Sequence, residues 1–229
     1  MPAPVVFDPA IARTFVRYAR LVAGRGYIHN TLGNIVLRVP HPDYAHGLAY
    51  TKHAEVSLEE MDESNIVITD IPTSRIVWGS RMTSVGHNLS REILRLRPDI
   101  NATIHVHDDA VLSLDPPFVL GKPVHFVPAH VDVEADVSSV ADFVQGTNSV
   151  ILVGHGLTTF GRNISEAYHR LNTLTAEVRR VLAAEQHAAV TGTRPAYRSQ
   201  HEIEEMYRFA ERIIYPTRAD HVMHEEAAE

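Results

Sequence analysis

Two apolar runs that end on histidine constrain this chain more than any other feature. The first is Ile104-His105-Val106-His107 and the second is Ile151-Leu152-Val153-Gly154-His155-Gly156. Alternate residues of a strand point to the same side, so His105 and His107 can present both imidazoles to one metal ion. The second run, from Ser149, reads as a buried strand that breaks at glycines and delivers a third imidazole from a neighbouring strand end. Three protein nitrogens with an open fourth position are the arrangement of a catalytic zinc or related divalent site, not of a closed structural one. Among 15 histidines, an i, i+2 pair can also arise as ordinary hydrogen-bonded polar residues. Gly-His-Gly after an apolar strand favours the metal reading.

Composition narrows the partners. A formal charge of −7 disfavours nonspecific nucleic-acid binding, which depends on Lys and Arg neutralising phosphates. The apolar runs fall well short of the roughly 20 residues a membrane span needs. The opening Met-Pro-Ala-Pro-Val-Val-Phe-Asp has no secretory pattern, and without cysteine there are no disulfides or thiolate ligands. The expectation is a cytoplasmic protein acting on a small molecule, with neither nucleic acid nor membrane as partner. Its 229 residues suffice for one domain with a full core, taken as 1–229.

Helical spacing from Pro9 to Gly24 predicts an amphipathic opening helix, with Ile11, Phe15, Tyr18 or Ala19 and Val22 inward and Arg13, Arg17 and Arg20 solvated. Strand-like pieces follow at 33–39, 47–51, 65–70 and 75–78, the last two forming a hairpin around Pro72-Thr73-Ser74. A helix is predicted from Ser84 to Arg97, then the strand Ala102 to His107, a short strand at 124–127 and a helix at 138–144. The longest helix should start at Asn163 and run to about Val190, with its apolar stripe at Ala167, Leu171, Leu174, Val178, Val181 and Leu182. A last helix is expected over about 199–215.

In this order the segments resemble the class II aldolase/adducin family over residues 10 to 190. The matching pieces are Gly33-Asn34, the run from Arg97-Pro98-Asp99 to His107, and Leu152-Val153-Gly154-His155-Gly156-Leu157 continuing to Ala167. The resemblance implies a three-layer α/β/α fold on a largely antiparallel central sheet. It also implies a divalent metal on His105, His107 and His155, with Zn2+ first and Fe2+, Mn2+ or Co2+ as alternatives, and a homotetramer with sites between subunits.

The chain departs from that pattern at two places. The acid/base glutamate of sugar-phosphate aldolases in this family, within Pro-Ser-Ser-Glu, falls here on Thr83-Ser84-Val85-Gly86. His87 is the adjacent candidate for acid/base duty, its alternative being a cap or surface role. Gly-Asn-x-Ser becomes Gly33-Asn34-Ile35-Val36, and Thr-Pro-Ser-Gly becomes Thr51-Lys52-His53-Ala54. Small phosphate donors are lost, and Lys52 is read as a mobile cation that meets a carboxylate. Asn34, Lys52 and Ser84 are therefore the expected substrate-binding residues.

The leading expectation is a metal-dependent lyase that cleaves a carbon–carbon bond, by retro-aldol reaction or decarboxylation, in a non-phosphorylated hydroxy- or keto-acid. The alternatives are an iron(II) oxygenase acting on an aromatic keto acid, a non-catalytic adducin-like interaction module, and a dehydratase or epimerase. Asp108 and Asp109 are read either as ligand contacts and orienters of His107 or as a helix cap. His125, His130 and Asp132 are weaker pocket candidates, and Tyr207 and Tyr215 are expected in packing.

Overall fold

Eight strands form in chain order: β1 (Asn34–His41), β2 (Tyr44–Lys52), β3 (Ile66–Asp70), β4 (Ile76–Trp78), β5 (Ala102–Val106), β6 (His125–Val127), β7 (Ser149–Leu152) and β8 (Gly156–Gly161). The helices are α1 (Pro9–Ala23), α2 (His87–Leu96), α3 (Asp109–Leu112), α4 (Ala141–Val144) and α5 (Ile164–Thr191). This computed structural model describes residues 5–79, 82–84, 86–114, 125–127 and 141–195, together with 202, 205 and 206. No helix among the described residues is long and apolar enough to cross a membrane.

The strands make one sheet in the order β4-β3-β2-β1-β5-β8-β7-β6. Every pairing is antiparallel except β6 with β7. The two-residue period of the strands sends alternate side chains into two separate cores. Ile35, Leu37, Ile104, Val106 and Leu157 pack with Phe15 of α1 and Leu171 and Leu174 of α5. Val36, Ala49, Val150, Leu152 and Phe160 pack with Leu89 and Ile93 of α2 and Val144 of α4. The expected three-layer α/β/α architecture on a largely antiparallel sheet is thus what forms. Because β5 is covered on both faces, all five of its residues are buried, Thr103 and His105 included.

Local chemistry sets the helix ends. Asp8 Oδ1 accepts from the amides of Ala10 and Ile11 at 2.8 and 3.4 Å, and Pro9 needs no partner in the first turn. Burial of Ala12, Phe15, Ala19 and Val22 then docks α1, Phe15 alone contributing about 2–3 kcal/mol. Arg13, Arg17 and Arg20 lie on the exposed side, as the spacing predicts. On α5, Asn163 Oδ1 accepts from Glu166 N at 2.9 Å, and the left-handed Gly192 (φ 72°) ends the helix.

Two differences from the sequence reading matter for the site. Residues 156–161 form β8, a strand that the reading missed, and it lies between β5 and β7. His155 therefore comes not from a strand end beside β5 but from the turn joining β7 to β8. The second difference is that α2 begins at His87, which leaves Ser84 in the preceding loop. The helix expected at 138–144 is described only as Ala141–Val144, and of the one at about 199–215 only residues 202, 205 and 206 are described, each of them helical. His130, Asp132, Tyr207, Tyr215 and the side chain of His125 lie outside the described residues.

Candidate metal centre

His105 lies on β5 and His107 just past its end, where its amide donates to Tyr27 O at 3.1 Å. His155 is held in the β7–β8 turn by its own amide, which donates to Leu152 O at 2.9 Å. These three segments bring the imidazoles together, with ring centroids 4.8, 5.3 and 5.0 Å apart. Nε2 of His105 and Nε2 of His107 are 3.0 Å apart, and one ring nitrogen from each histidine lies within 4.8 Å of the others. Two metal–nitrogen bonds of about 2.0–2.1 Å at a tetrahedral angle would set nitrogens about 3.3 Å apart; the His105–His107 pair is close to that spacing, a small rotation of the third ring would complete it, and the all-nitrogen donor set suits a divalent ion such as zinc. His105 is only 3 % exposed, whereas His107 and His155 are half-buried, so the cluster is closed on one side and open on the other.

The imidazoles are also in the right protonation state. Burial, followed by the charges of His107 and His155, holds His105 well below the ordinary histidine pKa. Burial, with His155 and then His29, lowers His107 to about 4, and burial lowers His155. Neutral rings offer lone pairs, as ligation requires.

Two residues of β8 shape the cluster. Thr158 pairs with His105 across the β5–β8 ladder, and its Oγ1 lies 2.9 Å from His105 Nδ1. A proton on Nδ1 donated to Thr158 leaves Nε2 as the free nitrogen facing the other rings. Gly156 packs under them: a Cβ there would lie 2.5 Å from Val106 O, 3.1 Å from His105 Cε1 and 3.4 Å from His107 Cδ2. Sequence reasoning had taken Gly156 only as part of the Gly-His-Gly break and had not singled out Thr158, because the register of the unrecognised β8 is what puts them there.

Of the expected substrate-binding residues, Asn34 is the one the structure brings to the cluster. It is the cross-strand partner of His105 and therefore shares its face. Its side chain is fully buried, and Oδ1 accepts from Ser90 Oγ at 3.0 Å. Ser84 lies in the loop before α2, its amide donating to Lys52 O and its carbonyl accepting from His87 N.

Lys52 departs from the expectation of a mobile cation. It shares strand parity with Tyr50, on the α1/α5 face opposite the histidines, and is fully buried. Its Nζ donates to Thr31 O at 2.8 Å and Val56 O at 2.7 Å, and burial lowers its pKa to about 8. Strand parity, invisible without the pairing, is the reason.

His87 also departs from its expected place. The ring is 1 % exposed and Nε2 lies 2.8 Å from Thr69 Oγ1 on β3. Strands β2 and β1 separate β3 from β5, a lateral distance of about 14 Å at normal strand spacing. Burial, then the charge of Arg91, lowers the pKa to about 3. The ring is thus neutral and directed away from the cluster, which is not the placement of a proton shuttle there.

Asp108 takes the capping alternative. It accepts from Val111 N at 3.1 Å and pairs with Arg179 at 2.5 Å from a 1 % exposed position. Asp109 is exposed and 3.3 Å from Nε2 of His29, a histidine that the sequence had not flagged and whose charge acts on His107.

Residues 13–181 match the family described as the Class II Aldolase and Adducin N-terminal domain. The chain belongs to this family. It is 26 % identical over 175 residues to an L-fuculose phosphate aldolase of Methanococcus maripaludis, covering 70 % of this chain and 89 % of that protein. Among solved structures, an aldolase II superfamily protein from Pseudomonas syringae superposes with a TM-score of 0.71 at 20 % identity, covering 89 % of this chain and 86 % of that one. The L-fuculose 1-phosphate aldolase from Glaciozyma antarctica gives 0.67 at 18 % identity, over 92 % and 94 %. These superpositions show a shared fold. As a member of the class II aldolase family, the chain carries its three-histidine cluster on the expected architecture.

Proposed function

We propose that this protein is a metal-dependent lyase that cleaves a carbon–carbon bond in a small, non-phosphorylated hydroxy- or keto-acid. The observation that carries the metal-dependent part is the half-open cluster of three neutral imidazoles, His105, His107 and His155. A divalent cation, with Zn2+ the best fit to this all-nitrogen set, supplies polarisation of a carbonyl oxygen and so favours electron density on the adjacent carbon. Thr158 fixes the His105 tautomer, Gly156 clears room beneath the rings, and Asn34 offers an amide beside them. Among the described residues the cluster is three histidines with no carboxylate, which favours a lyase metal over the two-histidine, one-carboxylate set usual for iron oxygenases.

The choice of a non-phosphorylated substrate rests on segment 51–54, whose polar groups turn inward. Thr51 Oγ1 donates to Ile35 O, Lys52 Nζ to two carbonyls, and His53 Nδ1 accepts from Glu55 N. The curated relative named above is a phosphate aldolase, which makes the comparison direct. Zinc-loaded protein should be assayed for cleavage of hydroxy- and keto-acids alongside fuculose 1-phosphate, with oxygen uptake monitored. Turnover of the free acids without oxygen uptake is expected. Exclusive turnover of the phosphorylated sugar would overturn the substrate reading, and substrate-triggered oxygen uptake with iron would overturn the lyase.

A further inference from the structure

The histidines of the cluster are held in different ways. His105 is paired on both sides within the sheet, with Asn34 of β1 and Thr158 of β8, and its ring Nδ1 lies 2.9 Å from Thr158 Oγ1. His107 lies past the end of β5, and its ring Nδ1 has no partner among the described residues. Its place is therefore set by its backbone, which is held at two points. The amide of His107 donates to Tyr27 O at 3.1 Å, and the next residue, Asp108, is fixed at the start of α3 by accepting from Val111 N at 3.1 Å. Both points lead to α5. Asn172, Thr175 and Arg179 stand at i, i+3 and i+7 and so line one side of that helix. The Tyr27 hydroxyl donates to Asn172 Oδ1 at 2.9 Å and lies 3.1 Å from Thr175 Oγ1. Arg179 reaches both anchors: Nη2 donates to Asp108 Oδ2 at 2.5 Å, and Cζ sits 5.5 Å from the centre of the Tyr27 ring. Tyr27 and Asp108 are buried, so neither exchanges these contacts for water at no cost. A planar guanidinium suits the place, because it can pair with a carboxylate while lying over an aromatic ring.

We infer that Arg179 is a positioning residue of the metal centre: from α5 it clamps Tyr27 and Asp108, and through them holds the His107 imidazole in register with those of His105 and His155. This rests on the metal-site reading above and extends the site to a helix that supplies no ligand. Arg179 acts at one remove, since it touches the residues that anchor the His107 backbone. Loss of the clamp frees the segment after β5 and lets the His107 ring turn out of the cluster, whereas His105 keeps its ladder partners and His155 its turn. An ion pair that served only the fold would change stability and nothing else.

The test adds cobalt(II) as the probe to metal-free full-length protein and measures its affinity, its visible d–d absorption and the urea midpoint of each variant. Arg179→Met should weaken cobalt binding about 10–100-fold, the usual effect of losing the support of a ligand, and alter the absorption of the fully loaded protein. It also leaves Asp108 buried without its cation and so lowers the urea midpoint. Asp108→Asn combined with Arg179→Met has no unpaired charge, so stability should return while the weak binding and altered spectrum remain. Arg179→Lys, which restores a point charge without the planar contact, should recover part of the affinity. Tyr27→Phe keeps the ring and deletes the hydroxyl; it should shift the spectrum in the same direction, and it carries the test if Arg179→Met does not fold. Unchanged affinity and spectrum in folded Arg179→Met or in Tyr27→Phe would overturn the inference, as would a spectrum that reverts together with stability in the double variant. Unmodified protein that binds no cobalt would overturn the underlying site reading instead, so the two failures are distinguishable.

Discussion

Replacing Thr158 with valine keeps the side chain's shape and deletes one oxygen. That oxygen lies 2.9 Å from His105 Nδ1, and both residues are buried. For the Nε2 lone pair to face His107 and His155, the ring proton must sit on Nδ1, and Thr158 accepts it. Valine removes that acceptor and leaves the Leu157 backbone as the ring's remaining protein partner, at a cost of about 1–3 kcal/mol for a poorly satisfied buried donor. Loss of such an orienting contact weakens metal binding about 10–100-fold, and since tenfold is about 1.4 kcal/mol, the two figures describe the same range. The assay is zinc affinity by competition with a chromogenic chelator, with the Tm of the metal-free protein as control. Without metal the ring can change tautomer, so the metal-free protein should lose less than the complex does. A zinc Kd within about threefold of the unmodified protein would refute the claim that Thr158 selects the ligating nitrogen.

Three further outcomes follow from the packing. Gly156→Ala puts a Cβ 2.5 Å from Val106 O and 3.1 Å from His105 Cε1, so it should cost about 1–3 kcal/mol in urea denaturation and abolish stoichiometric zinc; full zinc content would count against it. Lys52→Met strips Thr31 O and Val56 O of their shared donor and should cost about 2 kcal/mol while leaving KM unchanged, whereas a raised KM at constant stability would restore the substrate-contact role. His87 has a folded pKa of about 3 against an ordinary 6.5, so as pH falls through that window the unfolded chain takes up a proton that the folded one does not, and stability is lost. Between pH 7 and about pH 5 this amounts to roughly 2 kcal/mol, which His87→Gln in metal-free protein should remove from the urea midpoints; parallel pH profiles would contradict it.

The parts of the site carried by local pattern were legible in the sequence. The two-residue spacing of His105 and His107 fixes a shared face before any pairing is known, and Gly-His-Gly marks a turn after an apolar strand. Helices α1 and α5 announce themselves by cap residues and apolar stripes, and their observed ends agree within a residue or two. What depends on which strands become neighbours was not legible. Lys52 could be assigned to the wrong face because strand parity means nothing until β2 is paired. His87 could be read as facing the metal because only Thr69, two strands beyond β1, shows where its ring goes. Thr158 and the packing role of Gly156 went unnoticed because Leu157-Thr158-Thr159-Phe160 carries no strict alternation, and its place beside β5 is decided by long-range pairing.

The most direct test of the account is the metal content of His155→Ala compared with the unmodified protein, both purified without chelator and checked for native secondary structure. His155 stands alone in the β7–β8 turn, so removing its ring should spare the fold and leave only two of the three nitrogens. About one divalent ion per chain in the unmodified protein, lost in the variant, is the expected result. Full occupancy in His155→Ala would contradict the three-histidine site.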